Sequence, residues 1–171
     1  MRGIISILLT LLLLTPGFSQ KRSKVVSVNP VGFIFGIFGL EYQENIDVNS
    51  AWAVRGAFWS SRSGDWSMGA FGAGGSYRWF IEPTAPEEFY VGGGLDITLV
   101  TVKLGSEEAT GVAFAPKAEA GYTWLFGSKK NFAISIGAEA YYLIGNIKVG
   151  DESWPFGGFK GALVGRIGYA W

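Results

Sequence analysis

The chain of 171 residues contains no cysteine and no histidine. Without cysteine there are no disulfides, no thiol chemistry and no lipoprotein-type export signal, which needs a cysteine at its cleavage point. Without histidine, a Ser-His-Asp or Cys-His nucleophile and a histidine-based metal site are excluded. Charge of either sign is scarce and balanced, with 14 Lys and Arg against 14 Asp and Glu. No basic excess points to nucleic acid or to an anionic surface as partner. No residue set calls for a cofactor or a metal.

Long hydrophobic runs are also missing, with one exception at the N-terminus. Arg2 precedes an apolar run over 4–14 that is broken only by Ser6 and Thr10. Thr15, Pro16, Gly17, Phe18 and Ser19 follow as a turn-forming stretch with small residues at Gly17 and Ser19. This order predicts a secretory signal peptide over residues 1–19, cleaved between Ser19 and Gln20. At ~1.5 Å per helical residue the run reaches about half of a ~30 Å hydrocarbon core, too short for an anchor. Residues 20–171 then form one domain with a net charge near −1.

What the chain does have is glycine, 26 residues, and aromatics, 16% of the total. Stripes at helical spacing are absent. Turn-forming and charged clusters at 45–49, 61–65, 82–88, 105–110, 127–131 and 148–155 cut the chain at regular intervals. The segments between them predict strands over about 50–60, 66–81, 88–104, 111–126, 131–147 and 156–171. The stretch 24–46 is too long for one strand and contains Asn29-Pro30, Gly36 and Gly39, so it is split near Gly36, with Pro30 as the alternative break. The total is eight, and the expected fold is an all-β, antiparallel, up-and-down barrel.

Period-2 alternation within these segments separates two faces. Phe71, Ala73, Tyr77, Trp79 and Ile81 oppose Arg78; Phe89, Val91, Leu95, Ile97 and Leu99 oppose Asp96. Val112, Phe114, Tyr122 and Trp124 oppose Lys117 and Glu119, while Ile134, Ile136 and Tyr142 oppose Glu139. Leu40 and Tyr42 oppose Glu41, and Trp52, Val54 and Phe58 oppose Arg55. Phe159, Leu163, Ile167, Tyr169 and Trp171 oppose Lys160 and Arg166. These nine charges avoid the aromatic face, and the remaining strand-region charges, such as Glu44 and Lys103, sit at strand ends. The face they occupy is otherwise mainly Gly and Ala, including Gly72, Gly74, Gly92, Gly94, Gly121, Gly137, Gly158 and Gly168. A washed soluble face would carry more Ser, Thr, Lys and Glu. The charges are therefore expected inside, as an ion-paired network of Glu41, Arg55, Arg78, Asp96, Lys117, Glu119, Glu139, Lys160 and Arg166.

Two lesser features have plain readings. Gly69, Gly72, Gly74 and Gly75 lie within a strand, without the helix start and Lys-Ser/Thr of a phosphate loop, so packing explains them. Glu119 and Glu139 could form an acid/base couple, but their basic neighbours favour structural ion pairs. The acidic pairs Glu107–Glu108 and Asp151–Glu152 show no repeated ligand spacing and read as solvated loops.

The terminal aromatic strand, the charge parity and aromatics gathered near both ends of the strands together resemble the small eight-stranded outer-membrane barrels. That family includes the transmembrane domain of outer membrane protein A. The resemblance covers the whole of 20–171 but rests on architecture, with no diagnostic motif. It implies a transmembrane β-barrel integral to the bacterial outer membrane, probed by lipid outside and inserted by the barrel assembly machinery, for which Tyr169 and Trp171 resemble the signal. It further implies a monomer without catalytic residues, structural or of general envelope function, and not an enzyme. The histidine-dependent sites of small outer-membrane lipid-modifying enzymes are missing. A narrow pore for ions or small solutes and a surface or ligand-binding barrel are the alternatives. A secreted soluble barrel for an apolar ligand would invert the observed parity.

Overall fold

A computed structural model describes residues 23–64, 66–104, 107–149 and 152–171. The expected leader at 1–19 lies outside the described residues. Eight strands follow in chain order: β1 (Lys24–Val28), β2 (Ile37–Asn45), β3 (Ser50–Ser63), β4 (Trp66–Phe80), β5 (Glu88–Leu104), β6 (Glu107–Phe126), β7 (Phe132–Val149) and β8 (Glu152–Ala170). Each pairs antiparallel with the next, and β1 pairs with β8, so the sheet closes into an up-and-down barrel. The all-β, eight-stranded expectation holds. Among the described residues no helix is long and apolar enough to cross a membrane.

The break between the first two strands is where sequence and structure differ. Instead of a single turn near Gly36, the chain leaves the sheet after Val28 and forms a short helix, α1 (Pro30–Ile34). Asn29 caps it, its side chain accepting from the Gly32 N–H at 2.9 Å, and Pro30 fills the first turn, where its missing N–H costs nothing. Gly36 ends the excursion with φ of +73°, a left-handed conformation that glycine tolerates. The alternative break at Pro30 and the preferred one at Gly36 are thus the two ends of one interruption.

Three hairpins also run further than the alternation suggested. β6 starts at Glu107 and β7 continues to Val149, so stretches expected as loops belong to strands. Ladder hydrogen bonds continue past the point where the apolar pattern fades. Lys103 stands opposite Glu108 and pairs with it at 2.8 Å. In the middle of β6, Pro116 lacks an N–H, and the β6–β7 pairing skips from Phe114↔Ile144 to Lys117↔Tyr141 without changing register.

Facing is as the alternation predicts. Phe71 is 56% exposed, Leu163 83% and Phe159 72%, whereas Arg78, Glu119 and Arg166 are buried. The lower end, where the described residues begin at Ser23 and end at Trp171, is closed by apolar groups: Ala51, Phe80, Ala85 and Tyr90 form one buried cluster, Val25, Ala133 and Ala170 another. Ala85 comes from the 81–87 turn, which folds back under the barrel. Its N–H donates to Val48 O at 3.0 Å and its carbonyl accepts from Asn45 Nδ2 at 2.7 Å. Lys130 in the 127–130 turn reaches Glu87 at 2.7 Å, and that hydrogen bond raises the ammonium above its ordinary pKa. Outside the same end, Tyr42 meets Trp52 and Trp171, and Trp171 stacks on Tyr169, so an aromatic row crosses the β1–β8 seam.

Candidate functional site

The barrel interior is where buried charged side chains converge among the described residues. Its construction follows from register. Glu41 on β2 stands opposite Arg55 on β3, Arg55 opposite Gly74 on β4, and Gly74 opposite Asp96 on β5. A Cβ on Gly74 would overlap the Asp96 carboxylate, so the glycine is the gap through which Arg55 reaches Asp96. The same device recurs one layer lower. Gly92 lies between Arg78 and Glu119, and a Cβ there would sit 3.2 Å from the Glu119 side chain and 2.6 Å from Tyr77 O.

Three guanidiniums tie the carboxylates together. Arg55 donates through Nε to Asp96 at 2.9 Å, with a second bond between the same groups, and through Nη1 to both Glu139 oxygens at 2.6 and 2.9 Å. Arg78 donates to both Glu41 oxygens at 2.8 Å, to Glu119 at 2.9 Å and to Gln43 at 2.6 Å. Its guanidinium also lies 4.9 Å from the centre of the Tyr90 ring. Arg166 reaches Glu139 at 2.8 Å, Glu41 at 3.2 Å, Glu119 at 3.9 Å and the Tyr90 hydroxyl at 3.3 Å. Glu119 and Glu139 stand directly opposite each other on β6 and β7. Like charges in that position repel, and the arginines between them offset it.

Eight of the nine charges named from sequence come together: four acids and four bases, with zero net charge. Lys117 is the loosest member. Its ammonium is buried, 3.6 Å from Asp96, and has no hydrogen-bond partner among the described residues. Lys160 is the exception. It has the inward parity but lies exposed toward the upper mouth and pairs with no described residue, because β8 has no neighbour on its β1 side at that height. The expectation that it joins the network is therefore corrected.

Sequence reading missed Gln43 and Tyr90, which complete the shells of Arg78 and Arg166. Both share the parity of Glu41 and Asp96, which would have found them. Thr123 and Ser135, hydrogen-bonded across β6 and β7 at 2.7 Å, share it too.

Every carboxylate in the cluster is held by at least one arginine, which keeps all four as ion-pair partners. Glu119 and Glu139 in particular are bound to guanidiniums rather than aimed at a common open point. Among the described residues no group of three or more acids could hold a metal ion. Above the network lies a cavity of about 200 Å³. Arg55, Asp96 and Glu139 form its floor, with Ile37, Thr98 and Val164 among its walls. No family model, curated protein or solved structure matches this chain.

Proposed function

We propose that this protein is an integral β-barrel of the bacterial outer membrane, exported by a cleaved leader at 1–19, with a structural envelope role and no catalytic activity. One observation carries the reading: the barrel is inverted relative to a soluble one. Charges lie in its interior, while large side chains such as Phe71, Ile136, Phe159 and Leu163 stand exposed on its outer face. Soluble monomers rarely expose contiguous apolar patches beyond a few hundred Å². A charge on a lipid-facing strand position costs ~2–4 kcal/mol at mid-bilayer, which accounts for the parity. Strands of more than about ten residues suffice to cross a bilayer when tilted.

The filled interior favours a structural role over a pore. Arg55, Arg78 and Arg166 span the lumen, and Phe80, Tyr90 and the 81–87 turn close its lower end. Interior ion pairs that cross from strand to strand tie the wall together and fill the lumen at their height.

The test is fractionation followed by gel mobility of unheated and boiled samples. The expected result is recovery in the carbonate-resistant outer-membrane fraction with a heat-dependent shift. Recovery in the soluble periplasmic fraction without a shift would refute the membrane reading.

A further inference from the structure

One inward row of the barrel carries donors without acceptors. Lys117 on β6 stands opposite Tyr141 on β7, and Tyr141 stands opposite Lys160 on β8. All three have the inward parity, and neighbours in such a row lie about 5 Å apart at Cα. The row holds two ammoniums and a phenol, and no carboxylate. None of the three has a hydrogen-bond partner among the described residues.

Charge balance gives the row its sign. The four acids and four bases of the network cancel, and Lys160 is the ninth charge of inward parity. It leaves one uncompensated positive charge at the open end of the interior, where it is exposed. At the inner end of the row Lys117 is only 7% exposed. Its one ion pair among the described residues, to Asp96 at 3.6 Å, leaves donor capacity unfilled. An ammonium buried without acceptors is costly, and an anion in the row offsets that cost.

Above this row the wall reverses its polarity. Phe58, Phe114, Tyr142 and Phe159 are the upper outward aromatics, all exposed. Beyond them the outward positions are polar and exposed: Ser60 and Arg62 on β3, Thr110 and Glu108 on β6, Asn146 on β7. The inward positions of the same hairpins are Trp59, Val100, Val102, Leu143, Ile147 and Phe156, all half-buried. Period two persists while its sense inverts, as in a soluble barrel with an apolar interior.

Small residues keep the space over the donors clear. Gly158 stands opposite Leu143, Ala113 stands opposite Gly145, and the Phe156 ring lies over Gly145. The upper interior is thus a cup with apolar walls, and its floor carries the donor row. Lys160 is exposed, so the row is reached from the upper mouth.

We propose that this cup binds an organic anion, a carboxylate carrying a compact apolar body, taken from the external aqueous phase. The carboxylate oxygens accept from the Lys160 ammonium and the Tyr141 hydroxyl, with Lys117 at the inner end of the row as a second cation. The apolar body lies against Leu143 and Phe156. A neutral analogue loses the charge-assisted bond, and a bare carboxylate loses the apolar contact. The membrane reading above enters only in naming the side from which the ligand arrives.

The probe is 4-(trifluoromethyl)benzoate, followed by fluorine NMR with the protein in phosphatidylcholine nanodiscs and with empty discs as the blank. The expected result is saturable binding, about tenfold tighter than that of 4-(trifluoromethyl)benzamide or of trifluoroacetate. The first of these lacks the charge and the second lacks the apolar body. Lys160→Met weakens binding about tenfold and Tyr141→Phe about threefold, while Lys160→Arg retains it. Lys160 is exposed and pairs with no described residue, so Lys160→Met leaves the fold intact, which its unchanged heat-dependent gel mobility verifies. No saturable binding, equal binding of benzoate and benzamide, or full binding by Lys160→Met would overturn the proposal. Loss of benzoate binding in discs containing phosphatidylglycerol overturns it too, because the row is then a site for a lipid phosphate. Heat-dependent mobility of the unaltered protein reports separately on the membrane reading, on which the affinity of the row does not depend.

Discussion

Arg78→Leu is the sharpest test of what the interior charges contribute. The side chain is buried and donates to Glu41, Glu119 and Gln43, so its removal strands two carboxylates that are themselves almost wholly enclosed. Breaking a buried ion pair by deleting one partner costs about 3–5 kcal/mol, because the other charge remains. Arg78 serves two acids, but Arg166 stays 3.2 Å from Glu41 and 3.9 Å from Glu119 and retains part of both interactions. The expected loss is therefore about 4 kcal/mol, not twice that. With a urea slope of ~2 kcal/mol per M, the unfolding midpoint falls by ~2 M. Lys117→Met is the internal comparison. It deletes a buried ammonium that has no hydrogen bond among the described residues and one ion pair at 3.6 Å, while Arg55 still holds Asp96. It should leave the midpoint within ~0.5 M of the parent or raise it. Unfolding is followed by tryptophan emission and by loss of the heat-shifted gel band. The reasoning is refuted if the two variants shift the midpoint alike, or if Arg78→Leu moves it by less than ~0.5 M.

Gly74→Ala forces a methyl into the Asp96 carboxylate and should cost about 1–3 kcal/mol, whereas Gly93→Ala, whose Cβ would make an ordinary 3.6 Å contact, should cost less than about 0.5 kcal/mol; urea midpoints of the pair decide this. Asn45→Ala removes the bond to Ala85 O and should weaken the anchoring of the 81–87 turn by about 1 kcal/mol, seen as faster proteolysis at Glu82 or Glu87 with unchanged gel mobility. The purified protein in planar bilayers should give no discrete conductance steps, since the arginine layer and the Phe80–Tyr90 plug occupy the lumen; regular steps would revive the pore reading.

The strands and their facing were legible because the side-chain period of two is written directly into the chain. Residues such as Asp96 and Arg78, each opposed by five apolar neighbours, needed no tertiary information. Membership of the network was less legible, since it depends on height as well as parity. Lys160 has the inward parity of Arg166, yet it stands where β8 loses its neighbour. The brevity of β1 was not legible either. Val25 to Val28 and the apolar residues of α1 form one hydrophobic stretch, and only Asn29-Pro30 marks the boundary within it. Strand ends at the upper hairpins were underestimated because cross-strand pairing continues among polar residues, as at Lys103 and Glu108.

The two-sided pattern leaves one ambiguity in any such sheet. A strand that slips by one residue turns its apolar face inward and is rejected at once. A slip by two residues preserves every inside and outside position, so the apolar pattern cannot detect it. The charges can. Each strand from β2 to β8 contributes at least one, from Glu41 to Arg166, and a two-residue slip moves a charge by ~7 Å, beyond ion-pair reach. The buried ions thus act as a combination lock on seven strands, selecting among alignments that hydrophobicity alone would treat as equal.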